Sequence, residues 1–98
     1  MDERLSRYPV ADDFRTRLRG MSGRERADAG PGLLIPRCSS VHTFGMRFEL
    51  DLYFLDAAGR VIDRRFGVPP RRVAFCRGAC AVLEVPAGEG GEFPSAAT

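Results

Sequence analysis

The most regular pattern in the chain is the alternation of apolar and polar residues from Met46 to Leu55. Every second position is apolar, namely Met46, Phe48, Leu50, Leu52 and Phe54. The intervening positions are polar or amphipathic, namely Arg47, Glu49, Asp51 and Tyr53. Because successive side chains of a strand point to opposite faces of a sheet, this pattern predicts a half-buried strand over residues 46–55.

Further apolar stretches predict the remaining strands, over residues 33–35, 61–66, 73–76 and 79–85. Gly59, in the segment 56–60, predicts a hairpin turn with this glycine in the left-handed conformation. Pro69 and Pro70 lack the backbone N–H that a central strand needs, so residues 67–72 are predicted to form a loop. Successive strands joined by short turns favour antiparallel pairing.

Helical spacing of apolar residues occurs over residues 12–21, where Phe14, Leu18 and Met21 form one stripe. Asp12 or Asp13 can cap the start of this helix. The predicted fold class is therefore α+β but mostly β. It has a short N-terminal helix and about five short, largely antiparallel strands, in a curled sheet or partly open barrel.

The length of 98 residues suits one small domain, which we expect over residues 11–88. Residues 1–10 show no periodic pattern and are expected to be loose. Residues 89–98 are rich in glycine and small residues, and we expect a disordered tail. No apolar run has a membrane-spanning length, and the first residues lack a secretory signal pattern. These features predict a cytoplasmic protein.

The net charge and the arginine content indicate which classes of partner the sequence favours. The formal net charge is only +2, and the 15 basic residues are all arginine. Arginine can bind phosphate through two hydrogen bonds, but the Arg pairs at 64–65 and 71–72 are not regularly interleaved with aromatic residues, and the chain has no nucleic-acid-binding motif. The sequence therefore disfavours nucleic acid as a partner. Three cysteines, an odd number, favour reduced thiols over a disulfide framework.

The segment 38–45 contains the single histidine, His42, and alternates poorly. We expect it to bend before the strand that starts at residue 46, partly because Gly45 suits a bulge or bend. Cys38 and His42 are weak candidates for a metal site, since an extended segment would hold them about 13 Å apart. No metal or other cofactor is expected. His42 itself can be a buried structural imidazole, a ligand-binding group or a general base or acid.

Two carboxylates are the other candidates. Glu84 lies in a stretch that is apolar on both faces, so its charge needs a partner such as Arg47 or His42. Asp51 lies on the polar face of the strand predicted over 46–55. An Arg–carboxylate pair is the structural interpretation. The catalytic interpretation places His42 with Asp51 or Glu84 in one cleft, where they could act as acid and base.

The order of these motifs resembles the domain-of-unknown-function 192 family. The resemblance rests on "GLLIPRCSSVHTFGMRFELDLYFLD", "GRVID", "PPRRV" and "GACAVLEVPAG", and covers about residues 11–88. The positions that match the family pattern are Cys38, Ser40, His42, Thr43, Met46, Arg47, Phe48, Asp51, Glu84, Pro86 and Gly88. The resemblance implies a small, mostly β domain with no established biochemical activity. Glu49 departs from the pattern, because the family usually has proline there.

These features favour a binding module over an enzyme. We expect a protein partner or a small-molecule ligand, and the sequence does not indicate an oligomeric state. The candidate ligand-binding residues are Ser40, His42, Thr43, Arg47, Asp51 and Glu84. The alternative is a hydrolase or a metal-dependent enzyme that uses His42 with Asp51 or Glu84. It is weakened because no orienting group or oxyanion hole is visible beside the Ser-His pair.

Overall fold

A computed structural model describes residues 5–11, 20–28 and 30–88. Its regular elements are one short 3-10 turn and six strands. The 3-10 turn spans Arg26–Asp28, and the strands are β1 (Leu33–Pro36), β2 (Ser40–His42), β3 (Leu50–Leu55), β4 (Val61–Val68), β5 (Val73–Phe75) and β6 (Ala81–Pro86). Four strands form a larger sheet in the order β1-β6-β3-β4, and β2 and β5 form a separate small sheet. All of these strand pairs are antiparallel.

The mostly β architecture and the antiparallel pairing are confirmed, but the strands form two sheets and no closed barrel. The predicted helix over 12–21 is not supported. Residues 12–19 lie outside the described part of the chain, and Gly20 and Met21 belong to a turn. Among the described residues, no helix has both the length and the apolar character needed to cross a membrane.

The central strands of the larger sheet are buried on both faces. All six residues of β3 are buried, and so are five of the six residues of β6. The prediction of a half-buried strand over 46–55 is therefore wrong in two respects. The strand begins only at Leu50, and the face that carries Asp51 and Tyr53 is also covered.

The alternation nevertheless assigns side chains to the correct faces. Leu50, Leu52 and Phe54 belong to the core cluster between the two sheets, to which the small sheet contributes Val41 and Ala74. On the opposite face, a second cluster is closed by the N-terminal segment. Its members are Leu5, Tyr8, Leu34, Tyr53, Leu55, Leu83 and Val85.

The N-terminal segment is part of the fold, so the expected loose start does not hold for residues 5–10. The side chains of Leu5 and Tyr8 are 1% and 3% exposed. Val10 forms a parallel bridge with Leu34, whose N–H donates to the Pro9 carbonyl at 2.8 Å. Neither contact has a signal in the sequence, because the segment carries no periodic pattern. Residues 89–98, where a disordered tail was expected, lie outside the described residues.

The connection between β3 and β4 follows the prediction closely. Gly59 has a φ of +84°, the left-handed conformation expected for the hairpin turn. The Asp56 carboxylate closes this turn by accepting hydrogen bonds from the N–H groups of Ala58 and Arg60, both at 2.9 Å. These two bonds and the Arg60 side chain lower the pKa of Asp56.

β4 is longer than predicted and lies at the edge of the larger sheet. It continues to Val68, so the loop predicted over 67–72 starts only at Pro69. Its register with β3 shifts between Leu50 and Leu52, where one extra residue bulges out of β4. Along the edge, the Arg64 N–H donates to the Asp63 carboxylate at 2.8 Å.

Candidate functional site

The segment 38–45 is separate from β3, as predicted, but it contains a strand of its own. β2 pairs with β5 in the register Ser40↔Phe75, Val41↔Ala74 and His42↔Val73. Val41 and Ala74 are buried against the larger sheet. Because side chains alternate across a sheet, the residues on either side of Val41 and Ala74 point away from the core.

This outward surface, which we call the His42 face, consists of Ser40, His42, Phe44, Val73 and Phe75. It exposes large apolar side chains beside a histidine. Val73 is 69% exposed, Phe75 57% and Phe44 51%. Single exposed apolar residues are ordinary on a protein surface, whereas several grouped on one face are less common. The sequence pattern does not single out these three apolar residues, because an apolar run alone does not show which of its faces is covered.

His42 is half-buried at the end of β2 and is held by its neighbour. Its Nδ1 accepts a hydrogen bond from the Phe44 N–H at 3.2 Å. The rings of His42 and Phe44 lie 5.9 Å apart at an angle of 43°. An accepting Nδ1 leaves Nε2 as the nitrogen that carries the proton of the neutral ring, which makes Nε2 a hydrogen-bond donor. The hydrogen bond and the ring contact together link the side chain of His42 to Phe44.

Thr43, the next residue, points inward and has a structural role. Its side chain is buried, and its Oγ1 donates to the Pro69 carbonyl at 2.7 Å. The same oxygen accepts from the Arg72 N–H at 2.8 Å. The Thr43 N–H in turn donates to the Arg72 carbonyl, also at 2.8 Å. These bonds hold the loop before β5 against the end of β2, and they occupy the hydroxyl.

Asp51 is buried and ties together three parts of the larger sheet. Its Oδ1 accepts from the Gly67 N–H in the β4 bulge at 2.8 Å, and its Oδ2 accepts from the Gly88 N–H after β6 at 3.0 Å. Both carboxylate oxygens are thus bound by backbone donors. Asp51 was predicted to lie on the polar face of its strand. Its polar partners are backbone groups inside the fold rather than solvent.

Glu84 is 2% exposed, and its buried carboxyl group has fewer hydrogen-bond partners than that of Asp51. Its carboxyl group accepts from the Met21 N–H, while Oε1 has no hydrogen-bond partner. Gly20 packs so closely that a Cβ there would lie 2.9 Å from Oε1. Burial raises the pKa of Glu84 to about 7, against the opposing effects of the Met21 N–H and the Arg24 charge. This side chain is therefore protonated over part of the neutral range.

The predicted partners of Glu84 are engaged elsewhere. Arg47 is exposed and forms a 2.6 Å salt bridge with Glu25. His42 points outward from the small sheet. The expected Arg–carboxylate pair at Glu84 is therefore wrong for Arg47, and the described contacts give Glu84 no bond to His42.

The candidate carboxylates also do not meet each other. In the register of β3 with β6, Asp51 lies opposite Val85 and Glu84 lies opposite Leu52. Val85 and Leu52 belong to the core clusters on the two opposite faces of the sheet. Asp51 and Glu84 therefore face away from each other. The described hydrogen bonds and ion pairs join His42 to neither of them.

The weak metal candidates have separate contacts. The Cys38 Sγ donates to the Ser40 carbonyl at 2.8 Å, and His42 lies at the far end of β2. Cys38, Cys76 and Cys80 are all free thiols. Within residues 5–11, 20–28 and 30–88, no group of three or more His, Cys, Asp and Glu side chains is placed to hold a metal ion.

A second surface feature lies along β4. An open groove of about 400 Å³ is lined by Val61, Ile62, Asp63, Arg64 and Phe66. Phe66 is 61% exposed, and its ring meets Tyr53 edge-on with the centroids 6.0 Å apart. Phe66 therefore offers a matched comparison for Phe75, because both are exposed phenylalanines on strands.

Two solved structures share this fold. A protein of unknown function from Novosphingobium aromaticivorans aligns with a TM-score of 0.71 and 19% identity, over 84% of this chain and 64% of its own. A Sinorhizobium meliloti protein, provisionally described as a transcription regulator, aligns with a TM-score of 0.73 and 21% identity, over 84% of this chain and 69% of its own. At these identities the likeness establishes the fold alone. This chain spans less than two thirds of the Novosphingobium protein.

A comparison with curated proteins gives no match. The profile of one protein family matches residues 2–93, which is nearly the whole chain. This match confirms the resemblance carried by the segment around His42 and by the strand that ends at Pro86. The chain therefore belongs to the DUF192 family, described as uncharacterized ACR.

Proposed function

We propose that the protein is a non-catalytic binding module and that its partner contacts the His42 face. The observation that carries this proposal is the exposure of Val73 and Phe75 on β5, at 69% and 57%, beside the His42–Phe44 ring pair. Exposed apolar area of this kind is favourably covered by a partner, at roughly 25 cal/mol for each Å² removed from water.

The polar groups of the face suit recognition better than catalysis. His42 Nε2 and the Ser40 hydroxyl sit among the apolar side chains, and each can form a directional hydrogen bond with a bound partner. Such isolated polar groups set orientation and specificity in a largely apolar contact. Of the other predicted ligand-binding residues, Thr43, Asp51 and Glu84 are buried in the fold, and Arg47 forms a salt bridge with Glu25.

The described contacts do not support the hydrolase alternative. A Ser–His nucleophile pair needs a third group that orients the imidazole. The described contact at His42 Nδ1 comes from a backbone N–H, and the two candidate carboxylates lie in the larger sheet. The hydroxyl of Thr43 is already engaged with the loop before β5.

Site-specific photocrosslinking tests the proposed function. A photoreactive phenylalanine analogue replaces Phe75 in one variant and Phe66 in the control, and both variants are expressed in cells of the source organism. We expect irradiation to give discrete adducts from position 75 and few from position 66. Equal adduct yields from the two positions would show that the His42 face is not the binding surface.

A further inference from the structure

We propose that the His42 face binds single-stranded nucleic acid, with its rings stacking on bases and nearby arginines contacting phosphates. This inference rests on the proposed function and names the class of partner. It is carried by two features that the fold brings together, namely exposed aromatic rings on a sheet and arginines in segments that contain no acidic residues.

The rings come from two separate segments. His42 ends β2 and Phe44 follows it two residues later, while Phe75 lies on β5 on the same outward surface. Phe44 and Phe75 each expose more than half of their surface. Exposed rings on a sheet are the common platform for unstacked bases, because every base has a π-face that can stack on them.

The two chain segments that form this platform carry charge of one sign. The segments 37–48 and 67–83 contain no Asp or Glu. Arg71 and Arg72 directly precede β5, Arg77 follows it closely, and all three are exposed. The adjacent acidic residue from β4 is Asp63, which pairs with Arg65 at 3.0 Å. Arg65 also reaches β5, because its Nη2 donates to the Phe75 carbonyl at 2.7 Å.

This arrangement suits a single strand better than a duplex. Bases in a duplex are stacked on each other and cannot cover Phe44 or Phe75. Reading a major groove requires a helix or a two-stranded ribbon that fits into it. The small sheet has only three residues in each strand. A flexible single strand can place a base on each ring and a phosphate at each neighbouring arginine.

The sequence pattern disfavours this partner, because arginines and aromatic residues are not regularly interleaved along it and no nucleic-acid-binding motif is present. The fold, however, brings aromatic residues and arginines together that are far apart in the sequence. The pairing of β2 with β5 sets Phe44 and His42 beside the arginine-flanked β5, although the two segments are distant in the chain. An acidic protein could also approach the arginines, and this is the competing outcome of the test.

Fluorescence anisotropy with labelled oligothymidylate and oligouridylate tests the inference on the full chain. The probes are titrated with the wild type, with Phe75→Leu and with the matched control Phe66→Leu. Phe75→Leu keeps an apolar side chain but removes the ring. We expect it to weaken binding by about tenfold, the effect of losing one stacked base. Phe66→Leu should stay within about twofold of the wild type, because its ring lies outside the proposed contact.

A phosphate contact predicts a different signature. Arg72→Gln should weaken binding and reduce the slope of log Kd against log salt concentration by about 0.7, the value for one single-strand phosphate contact. Arg60→Gln, at the hairpin turn, serves as the charge control and should leave the slope unchanged. Thermal melts of all variants check that the fold is retained.

The outcomes separate this inference from the proposed function. If neither oligonucleotide binds and the adducts from position 75 are destroyed by protease but not by nuclease, the partner is a protein. Nucleic acid is then excluded, while the binding role of the His42 face stands. Equal losses of affinity in Phe75→Leu and Phe66→Leu would also overturn the inference. If position 75 gives no specific adducts and the oligonucleotides do not bind, both proposals fail.

Discussion

At the scale of single residues, the buried polar groups differ in how fully hydrogen bonds replace the contacts with water that burial removes. Asp51 has a backbone donor for each oxygen, and Thr43 uses its hydroxyl both as donor and as acceptor. Glu84 has an unpartnered oxygen and a pKa raised to about 7. Burying an ionised carboxylate without full compensation is costly, so the protonated form of Glu84 is the one that suits the fold.

This difference predicts how stability depends on pH. Below a pH of about 4.5, Glu84 is protonated in both the folded and the unfolded chain, so its full contribution to stability is present. Between about 4.5 and 7 the unfolded chain loses the proton first, and the free energy of unfolding should fall by about 3 kcal/mol as the pH rises. Above the folded pKa the effect levels off.

Urea unfolding of Glu84→Gln over this pH range checks the prediction. The variant should lose most of this pH dependence and should be more stable than the wild type at pH values above about 7. Glu49→Gln, at an exposed position, is the control and should keep the wild-type profile. A pH dependence in Glu84→Gln as steep as that of the wild type would assign the titration to another group.

At the scale of elements, Asp51 is the point where β3, the bulge in β4 and the turn after β6 are joined. Asp51→Asn replaces one acceptor oxygen by an NH2 group that faces a backbone N–H. We expect the free energy of unfolding to fall by about 1–3 kcal/mol, the cost of leaving a buried donor unsatisfied.

Denaturant unfolding measures this loss, with Asp56→Asn as the matched control. Asp56 also accepts two backbone N–H groups, but at an exposed turn where water can replace a lost bond. Its substitution should therefore cost less than that of Asp51. Equal losses at the two positions would mean that the burial of Asp51 contributes nothing.

The strands differ in how well the sequence predicts them. The alternation around Leu50, Leu52 and Phe54 correctly gives the side chains that share a face, because strand geometry fixes a period of two. It could not show that the Asp51 face is also covered, since that cover comes from Leu5 and Tyr8 in a segment without periodicity. Tertiary packing, rather than local pattern, decides that burial.

The candidate site was predicted only in part. The poor alternation before residue 46 correctly separated His42 from β3, but it concealed the short strand β2. The pairing of β2 with β5 depends on contacts between distant segments, for which a single sequence carries no local signal. The hypothesis that His42 meets Asp51 or Glu84 failed for the same reason, because strand order and register decide which face each side chain occupies.

At the scale of the whole molecule, the two ends of the chain are expected to differ in their importance. Deleting residues 1–8 removes Leu5 and Tyr8, which close the second core cluster, and should lower the free energy of unfolding by more than about 3 kcal/mol. Deleting residues 89–98 should leave the melting temperature within a few degrees, because that composition offers little apolar area for burial.

Calorimetry of the two truncated chains tests this contrast. A loss of more than about 2 kcal/mol on removing residues 89–98 would mean that Phe93 docks on the core. A deletion of residues 1–8 that melts like the full chain would show that the N-terminal segment adds no stability.

The hydrogen bond from the Arg64 N–H to the Asp63 carboxylate has a consequence for self-association. An edge strand usually invites another strand to pair with its free backbone groups, which is a route to aggregation. On β4 the carboxylate already occupies one of those groups. An incoming strand would have to displace it and desolvate a charge, which opposes growth of the sheet from this side. Exposed apolar side chains such as Phe66 can therefore lie on this edge strand while one of its backbone groups is closed to pairing with a further strand.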